Sequence, residues 1–392
     1  MEIPSIKNIN VKGKRVIVRV DFNVSLTAEN EIANDKRIRE ALPTIEFLIS
    51  QGATVILLSH LGRPKGQVVM EFSLERVSKR LSTLLRKEVI FIRDYLSESA
   101  PVHIATLPMG SVVLCENIRY HKGEEQNDPT FAKQLSALGD IFVNDAFGAA
   151  HRTHASTVGI SSYLPSYAGL LLTREIEMIS SAVKNPERPL TVIIGGGKTP
   201  EKIRVIDTLL EVADTIYVGG AIANTFFATW GIGVGVSKVD YEMIEMARSV
   251  LWKATRVHAR LLLPSDVVVS NIERTTKPII FDYNKVPMGM GIYDIGPKAR
   301  KELITIIEQS KTIIWNGPLG LYEDTRFTIG TVETCHAIAS SHALSIVGGG
   351  DTISTITDTE ILKQITLIST GGSAMLEFIE KGTLPTIEAL KT

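Results

Sequence analysis

The sequence predicts an α/β protein made of two doubly wound, Rossmann-like domains with parallel sheets, joined by an interdomain helix. Short runs rich in β-branched residues alternate with amphipathic helical segments from one end of the chain to the other. The length of 392 residues suits two domains better than one. Near the middle, Pro186 and Pro189 end a polar helix, and a domain boundary can lie there.

The alternation can be followed element by element through both halves of the chain. In the first half, strands are predicted at residues 15–22, 54–60, 112–116 and 141–145, with helices at 35–50 and 73–86. In the second half, strands are predicted at 190–194, 215–218, 261–263, 312–315 and 344–347, with helices at 202–213 and 298–310. Strands separated by helices pair in parallel, so each sheet should carry helices on both faces.

The domain boundaries are placed around the proline-terminated helix. Residues 1–172 are predicted to form an N-terminal domain, 173–189 the interdomain helix and linker, and 190–378 a C-terminal domain. The last segment, 379–392, is expected to return to the N-terminal domain.

Composition excludes several classes of protein. The 42 Lys and Arg residues balance 43 Asp and Glu residues, which argues against a nucleic-acid binder held by a bulk basic field. With 44% hydrophobic and 22% charged residues, the chain is not disordered. Cys115 and Cys335 lie far apart and suggest a reducing compartment. No targeting segment and no run of roughly 18 apolar residues is visible, so a cytoplasmic protein without membrane contact is expected.

Polar and basic residues follow the strands of the first half. Ligands of doubly wound sheets bind beyond the carboxyl ends of the strands, so these residues are candidates for a site. A lone arginine is more often a solvated surface residue, but several at one edge predict a small ligand with more than one negative charge. The candidates are Asp21, Asn23, Arg37, His60, Arg63, Arg119 and Arg152, with His151 and His154 beside the last.

Glycine clusters follow the strands of the second half. Glycine lets the backbone approach a ligand closely, and the exposed amides of a helix start favour phosphate. Each cluster alone is more simply a tight turn, but five at one edge favour nucleotide phosphates. They lie at 195–197, 219–220, 317–320, 348–350 and 371–372.

Two common nucleotide motifs are incomplete. The residues Gly197, Lys198 and Thr199 resemble the end of a Walker loop, but its first glycine would fall at Val192. No GxGxxG motif is completed either, which removes the main support for a dinucleotide-dependent dehydrogenase. A two-domain solute-binding module stays open as a rival, although it would not need a phosphate site with lysine, aspartate and glycine.

Taken in order, the motifs make the chain similar to phosphoglycerate kinases over essentially its whole length. The matching segments are RVDFNV, NDKRI, SHLGRP, ENIRY, FVNDAFGAAHRTHAS, GGAIANTF, DIGP, WNGPLGLYE, GGGD and STGG. The resemblance implies two domains around a cleft, the N-terminal one for phosphoglycerate and the C-terminal one for the nucleotide. It implies reversible, Mg²⁺-dependent, in-line phosphoryl transfer between 1,3-bisphosphoglycerate and ADP, giving 3-phosphoglycerate and ATP, on domain closure. This is a step of glycolysis and gluconeogenesis, performed by a phosphotransferase with a carboxyl group as acceptor, and a monomer is expected.

The resemblance also implies roles for individual residues of the first half. Asp21 and Asn23 are similar to residues that hold the hydroxyl and carboxyl end of the glycerate. Arg37 resembles the arginine beside the transferring phosphoryl group. The rest of the basic patch on the substrate would be His60, Arg63, Arg119 and Arg152.

On the nucleotide side, Lys202 resembles the lysine that contacts the phosphates, and Lys198 the lysine that accompanies the moving phosphoryl group. Glu323 is similar to the ribose contact, and Asp351, followed by Thr352, to the metal-associated aspartate. Further residues on this side are Gly195, Gly196, Asn316, Pro318, Gly349 and Gly350, and the amides of Gly371 and Gly372 would hold the phosphoryl group in flight.

The sequence departs from the usual family pattern at two positions. Ser373 stands where a third glycine is usual, which costs about 1 kcal/mol if that position needs a positive φ. Pro200 stands where a small polar residue is more usual, and proline is harmless in a first helical turn. Neither departure touches a charged group, so the expected activity stands.

Overall fold

A computed structural model describes residues 3–197, 199–356 and 358–391, with only the backbone of Thr199 and Thr359. The chain divides into two compact units. Unit 1 contains Met1–Glu177 and Thr383–Thr392, and unit 2 contains Met178–Gly382. No helix in the described parts of the chain is long and apolar enough to cross a membrane.

Unit 1 is built on a six-stranded parallel sheet in the order β5-β6-β4-β1-β7-β8. Its strands are β1 (Arg15–Arg19), β4 (Thr54–Leu58), β5 (Val89–Ile92), β6 (Val112–Cys115), β7 (Ile141–Asn144) and β8 (Ser166–Ala168), and β2 (Ser25–Leu26) with β3 (Ile32–Asn34) forms a small hairpin. Its helices are α1 (Lys36–Ser50), α2 (Glu75–Leu85), α3 (Ser99–Ala105), α4 (Lys122–Glu125), α5 (Pro129–Ser136) and α6 (Leu170–Lys184), within which the division between the units falls.

The core of unit 1 has two layers because successive strand residues point to opposite faces. Val16 and Val18 of β1 pack with helices α1 and α2, whereas Ile17 packs with α3 and α5. The sheet is therefore covered on both faces, as a parallel sheet requires. Its strand order reverses around β1, which is where a doubly wound sheet opens a ligand site at the carboxyl ends of its strands.

Unit 2 repeats this plan with a six-stranded parallel sheet in the order β11-β10-β9-β15-β16-β17. These strands are β9 (Leu190–Ile194), β10 (Thr215–Val218), β11 (Arg260–Leu262), β15 (Thr312–Asn316), β16 (Leu344–Gly348) and β17 (Leu367–Ile368). An added antiparallel sheet contains β12 (Asp266–Asn271), β13 (Ile279–Asp282) and β14 (Met290–Ile295).

The helices of unit 2 connect these strands. They are α7 (Thr199–Leu209), α8 (Gly220–Thr229), α9 (Ile244–Ala254), α10 (Pro297–Gln309), α11 (Ile329–Ser340), α12 (Gly350–Ser354), α13 (Thr359–Leu362) and α14 (Gly372–Lys381), and α15 (Pro385–Ala389) belongs to unit 1. Helices α10 and α11 pack on one face of the sheet around the buried Trp315. The amide of Thr386 in α15 donates to the carbonyl of Ala150. Short 3₁₀ helices cover Ile6–Asn8, Met70–Phe72, Ile118–Tyr120, Phe147–Ala149, Gly159–Ser162, Tyr241–Met243 and Thr325–Phe327.

The alternating parallel architecture that the sequence predicts is confirmed, but several element boundaries were wrong. The first strand ends at Arg19 and not at residue 22, because the amide of Phe22 donates to the hydroxyl of Ser59 and not to a neighbouring strand. The helix predicted at 202–213 is Thr199–Leu209. The antiparallel sheet of unit 2 was not predicted. Its three strands follow one another with no helix between them, so they do not fit the alternation of strands and helices on which the prediction was based.

Helix α6 begins on a buried carboxylate. Oδ1 of Asp145, which is 0% exposed, accepts hydrogen bonds from the amides of Leu171 and Leu172 at 2.9 and 3.2 Å. Burial raises the pKa of Asp145 from 3.8 to about 7, against the opposing effect of the Thr44 hydroxyl and these amides. The folded protein therefore holds a proton on Asp145 through a range of pH in which the unfolded chain has lost it.

This difference gives a prediction for Asp145→Asn. Between about pH 4 and 7 the folded state binds the extra proton, so the free energy of unfolding of the wild type should fall as pH rises, by at most about 1.4 kcal/mol per pH unit. Asparagine keeps the accepting oxygen and carries no titrating proton. We expect the stability of the variant relative to wild type to improve as pH rises from 5 to 7.5, measured by thermal unfolding of both proteins. If the melting temperatures of the two proteins changed with pH in parallel, Asp145 would be ionised in the folded state.

Candidate active site

The candidate residues of unit 1 gather beyond the carboxyl ends of β1, β4, β6 and β7. Asp21 and Asn23 follow β1, His60 and Arg63 follow β4, and Arg119 lies beyond β6. Arg152 lies in the loop after β7, and Arg37 is in the first turn of α1. Because neighbouring parallel strands end at the same edge, the fold brings these residues from distant parts of the sequence to one side of the sheet.

Asp21 and Arg37 form an ion pair at the centre of this group. Nη1 of Arg37 contacts Oδ2 of Asp21, which is 9% exposed. Burial opposes ionisation of Asp21, but the charge of Arg37 outweighs it and, with smaller contributions that include Arg19 and the amide of Asn23, holds the pKa of the carboxyl well below its usual range. Asn23 lies beside the pair, and its Oδ1 accepts from the amide of Gly62 at 2.8 Å. Asp21 is thus a fixed negative charge that orients the Arg37 guanidinium.

Three more predicted arginines belong to the loops at this edge of the sheet. Nη1 of Arg119, which is 3% exposed, donates to the carbonyl of Gly62 at 2.8 Å, while its Nη2 is buried without a hydrogen-bond partner. Burial, followed by the charges of Arg152 and Arg19, lowers the pKa of Arg119 to about 10. Arg63 is exposed and Arg152 half-buried. Guanidinium groups crowded in this way repel one another, and a bound anion would relieve that repulsion.

His60 is the only imidazole among the predicted substrate residues, and it is buried at 4% exposure. Burial, together with Arg19, Arg119 and Arg152, lowers its pKa well below the usual value, although Asp21 opposes this. A neutral imidazole at this place is a hydrogen-bond donor or acceptor and not a cation.

Unit 2 contains a cavity of about 700 Å³ at the carboxyl ends of its parallel strands. Its wall combines apolar side chains with glycine-rich strand-to-helix turns, as a nucleotide requires for its base and its phosphates. The apolar part includes Phe227, Ile292 and Leu319, and Phe227 stacks on Tyr283 with ring centroids 5.2 Å apart. Gly220, Gly350 and Gly372, at the starts of α8, α12 and α14, line the same cavity.

Two glycines show why larger residues would not serve here. A Cβ on Gly195 would stand 2.3 Å from the carbonyl oxygen of Pro318, so the β9 and β15 turns could not pack as they do. Gly349 has a φ of 106°, a backbone conformation that residues other than glycine rarely adopt. These close turns let backbone amides form the cavity wall.

Lys202 reaches the cavity from α7. Its side chain is 7% exposed, and its Nζ contacts the carbonyl oxygen of Gly195. Burying an ammonium group is costly unless charged or polar partners surround it. Lys198 lies outside the described residues.

The remaining predicted nucleotide residues lie around the cavity, with two exceptions. Asn316, Pro318, Glu323, Asp351, Thr352, Gly196, Gly349 and Gly350 are all in its wall. The described lining does not include Gly195, whose amide donates to Asn316 at 2.9 Å, or Gly371, whose amide donates to the Ser369 hydroxyl at 3.2 Å. Both amides are engaged within the fold, and the partly buried Gly372 and Ser373 line the cavity at the start of α14.

Some residues of both sites could not be predicted from the sequence. Arg19 is completely buried and touches His60, and its signal was a charged residue directly after the apolar residues Val16–Val18 of the first strand. Tyr322 lines the cavity, where burial and the nearby carboxylates of Asp351 and Glu323 raise its pKa. Phe227, on a helix of nearly uniform apolar character, carried no signal that distinguished it from core residues.

Two doubly wound units, one that gathers basic side chains and one with a glycine-walled cavity, have the features of a two-domain α/β kinase. The family model described as phosphoglycerate kinase matches residues 6–382. The chain therefore belongs to the phosphoglycerate kinase family, and the resemblance inferred from its motifs is confirmed.

Individual relatives agree with this assignment. The chain is 43% identical over 392 residues to the phosphoglycerate kinase of Coprothermobacter proteolyticus, covering 100% of this chain and 99% of that protein. It is 44% identical over 387 residues to that of Moorella thermoacetica, covering 98% of each. Among solved structures, the phosphoglycerate kinase of Coxiella burnetii has a TM-score of 0.86 at 39% identity, covering 100% of this chain and 98% of that one.

Proposed function

We propose that this protein transfers a phosphoryl group reversibly between 1,3-bisphosphoglycerate and ADP, giving 3-phosphoglycerate and ATP in glycolysis and gluconeogenesis. The observation that carries the proposal is the pairing of a crowded guanidinium site in unit 1 with a glycine-walled cavity holding Lys202 in unit 2. Formation of ATP from the two substrates tests it directly.

Unit 1 is proposed to bind the triose. A phosphoglycerate carries a phosphate and a carboxylate, and guanidinium groups bind both through paired N–H donors. Asp21 and Asn23 would hold the hydroxyl and carboxyl end, and His60, Arg63, Arg119 and Arg152 would complete the substrate patch. Arg37, held by Asp21, would stand beside the phosphoryl group in transfer and stabilise its equatorial oxygens.

Unit 2 is proposed to bind ADP or ATP. The apolar part of the cavity suits the base, Asn316 and Pro318 would line the adenosine, and Glu323 would contact the ribose. Lys202 and the turns at Gly196, Gly349, Gly350 and Thr352 would contact the phosphates, with Lys198 accompanying the moving group. The amide of Gly372 is better placed for this group than that of Gly371, because the latter is already bonded to Ser369.

Asp351 is the residue proposed to hold Mg²⁺. It is exposed at the start of α12 and lines the cavity. No group of three His, Cys, Asp or Glu able to hold a metal occurs within residues 3–197, 199–356 and 358–391. A single carboxylate nevertheless fits Mg²⁺, which keeps most of its coordination as phosphate oxygens and water. Bound there, the ion would neutralise phosphate charge.

The proposed chemistry needs no general base. The acceptor in the ATP-consuming direction is a carboxylate that is already ionised at neutral pH, so no proton has to be removed. The work of the protein is positioning and neutralisation of charge. A monomer is proposed, and the two buried free cysteines suit the reducing conditions of the cytoplasm.

Transfer requires the two substrates to meet, and the residues that would bind them belong to different units. We therefore expect the radius of gyration in small-angle X-ray scattering to fall when 3-phosphoglycerate and Mg²⁺ with a non-hydrolysable ATP analogue are present together. The decrease should exceed the one with either ligand alone. An unchanged radius with both ligands bound would contradict this part of the proposal.

A further inference from the structure

His60 is held by a neighbour that can only donate hydrogen bonds. Its Nδ1 lies 3.0 Å from Nη2 of Arg19, and the two side chains are 4% and 0% exposed. A guanidinium has no acceptor, so Nδ1 of His60 must accept from Arg19. The proton of the neutral imidazole is then on Nε2.

Arg19 is itself fixed by two further contacts. Its Nε donates to Oγ of Ser156 at 2.8 Å, and its Nη1 donates to the carbonyl of Val20. All three nitrogen atoms of the guanidinium therefore have partners inside the protein. Since the group is planar, these contacts determine its orientation, and with it the position of the N–H that reaches His60.

A buried carboxylate balances the charge of Arg19 through Ser156. The hydroxyl of Ser156 donates to Oε1 of Glu124 at 2.7 Å, and its amide donates to Oε2 at 3.0 Å. Glu124 is 0% exposed, and His154 Nδ1 lies 3.5 Å from its Oε1. Burial opposes ionisation, but His154, Arg19 and Ser156 outweigh it and lower the pKa of Glu124.

We propose that Glu124, Ser156 and Arg19 are positioning residues that hold His60 in its neutral Nε2–H tautomer. In this state His60 presents a hydrogen-bond donor to an anionic oxygen of the triose. The opposite tautomer would turn a lone pair toward that oxygen and repel it. The identity of the ligand rests on the proposed function, whereas the tautomer does not.

The charges around His60 support a neutral ring. Arg19 faces it from β1, Arg119 from beyond β6, and Arg152 from the loop after β7, while Asp21 is the opposing negative charge. Three guanidinium groups and burial disfavour a second proton on the ring. The surroundings thus favour one proton, and Arg19 selects the nitrogen that carries it.

The tautomer is tested in the full-length protein by ¹H–¹⁵N correlation spectra of ¹⁵N-labelled histidine, assigned with His60→Gln. We expect a single Nε2–H form in the wild type at pH 7, and a mixture of tautomers with a raised pKa in Arg19→Met. If Arg19→Met does not fold, Ser156→Ala should shift the His60 signals in the same direction by a smaller amount. An Nδ1–H form or a mixture in the wild type would overturn the proposal.

Kinetics test whether Arg19 acts through His60. Arg19→Met should raise the KM for 3-phosphoglycerate about tenfold, the loss expected for one hydrogen bond to a charged group, and leave the KM for ATP unchanged. In the His60→Ala background the same change should add less than twofold. Equal losses in both backgrounds would overturn the proposal, because Arg19 would then act independently of His60.

Arg15 provides a matched control for Arg19, and the activity of His60→Ala separates the substrate contact from the tautomer. Arg15→Met removes another arginine of β1, one that pairs with Asp140, and should leave both KM values unchanged. Full activity of His60→Ala, with the tautomer fixed in the wild type, would refute the contact of His60 with substrate under the proposed function and not the tautomer assignment.

Discussion

Replacing Arg37 by alanine is expected to lower kcat about a hundredfold or more with a modest change in the KM for 3-phosphoglycerate. The guanidinium is held by Asp21, so it is preorganised for charge that develops in the transition state. Removal of one preorganised donor of this kind typically costs about 2.7–4 kcal/mol in activation free energy. An interaction made mainly in the transition state appears in kcat more than in KM. Steady-state kinetics in the ATP-consuming direction measures the effect.

The control for Arg37 lies two residues further along the same helix. Arg39 is exposed and pairs with Asp35. Arg39→Ala should therefore keep wild-type kinetics while making a similar change in surface charge. A kcat of wild-type size in a folded Arg37→Ala protein would refute the role of this residue.

Replacing Lys202 by methionine is expected to raise the KM for ATP about ten- to a hundredfold. The side chain is buried in the cavity of unit 2, where its ammonium group is the described cation nearest the glycine turns at Gly195 and Gly196. A hydrogen bond to a charged group contributes about 1.5–3 kcal/mol, which corresponds to that loss of affinity. Methionine keeps the length and apolar volume of the side chain, so the fold should survive. Isothermal titration with ADP measures the same loss without turnover.

Lys253→Met is the matched control on unit 2. Lys253 pairs with Asp207 and Glu211 on the protein surface. We expect unchanged nucleotide affinity in this variant. If Lys202→Met retained the wild-type KM for ATP, the assignment of Lys202 to the phosphates would be wrong.

The positions of the unit 1 residues could be predicted from the sequence because a parallel sheet gathers its carboxyl ends. Asp21, His60 and Arg119 are far apart in the chain, yet each follows a strand, and that alone predicts their common edge. What the sequence did not indicate is how they are held. Ser156 and Glu124 belong to a loop and to a one-turn helix without periodicity, and their contact with Arg19 depends on tertiary packing.

In unit 2 the glycine clusters predicted a phosphate cavity but not which amides are free. Gly371 and Gly372 are neighbours of the same type, yet only Gly372 lines the cavity, because a side-chain contact from Ser369 engages the amide of Gly371. The sequence could not distinguish Phe227 from core residues, because packing against the sheet and packing against a nucleotide base both favour a large apolar side chain. The end of the first strand was imprecise because the amide of Val20 still donates to the carbonyl of Leu58, whereas that of Phe22 donates to a side chain, the hydroxyl of Ser59.

The central claim is that one chain joins the guanidinium site of unit 1 and the cavity of unit 2 in a single phosphoryl transfer. It is tested most directly by measuring ATP formed from ADP and enzymatically generated 1,3-bisphosphoglycerate in the presence of Mg²⁺. We predict ATP formation by the wild type at a subsaturating concentration of ADP, with the rate sharply reduced in both Arg37→Ala and Lys202→Met and retained in Arg39→Ala and Lys253→Met. No ATP from the folded wild-type protein with both substrates and Mg²⁺ present would contradict the account.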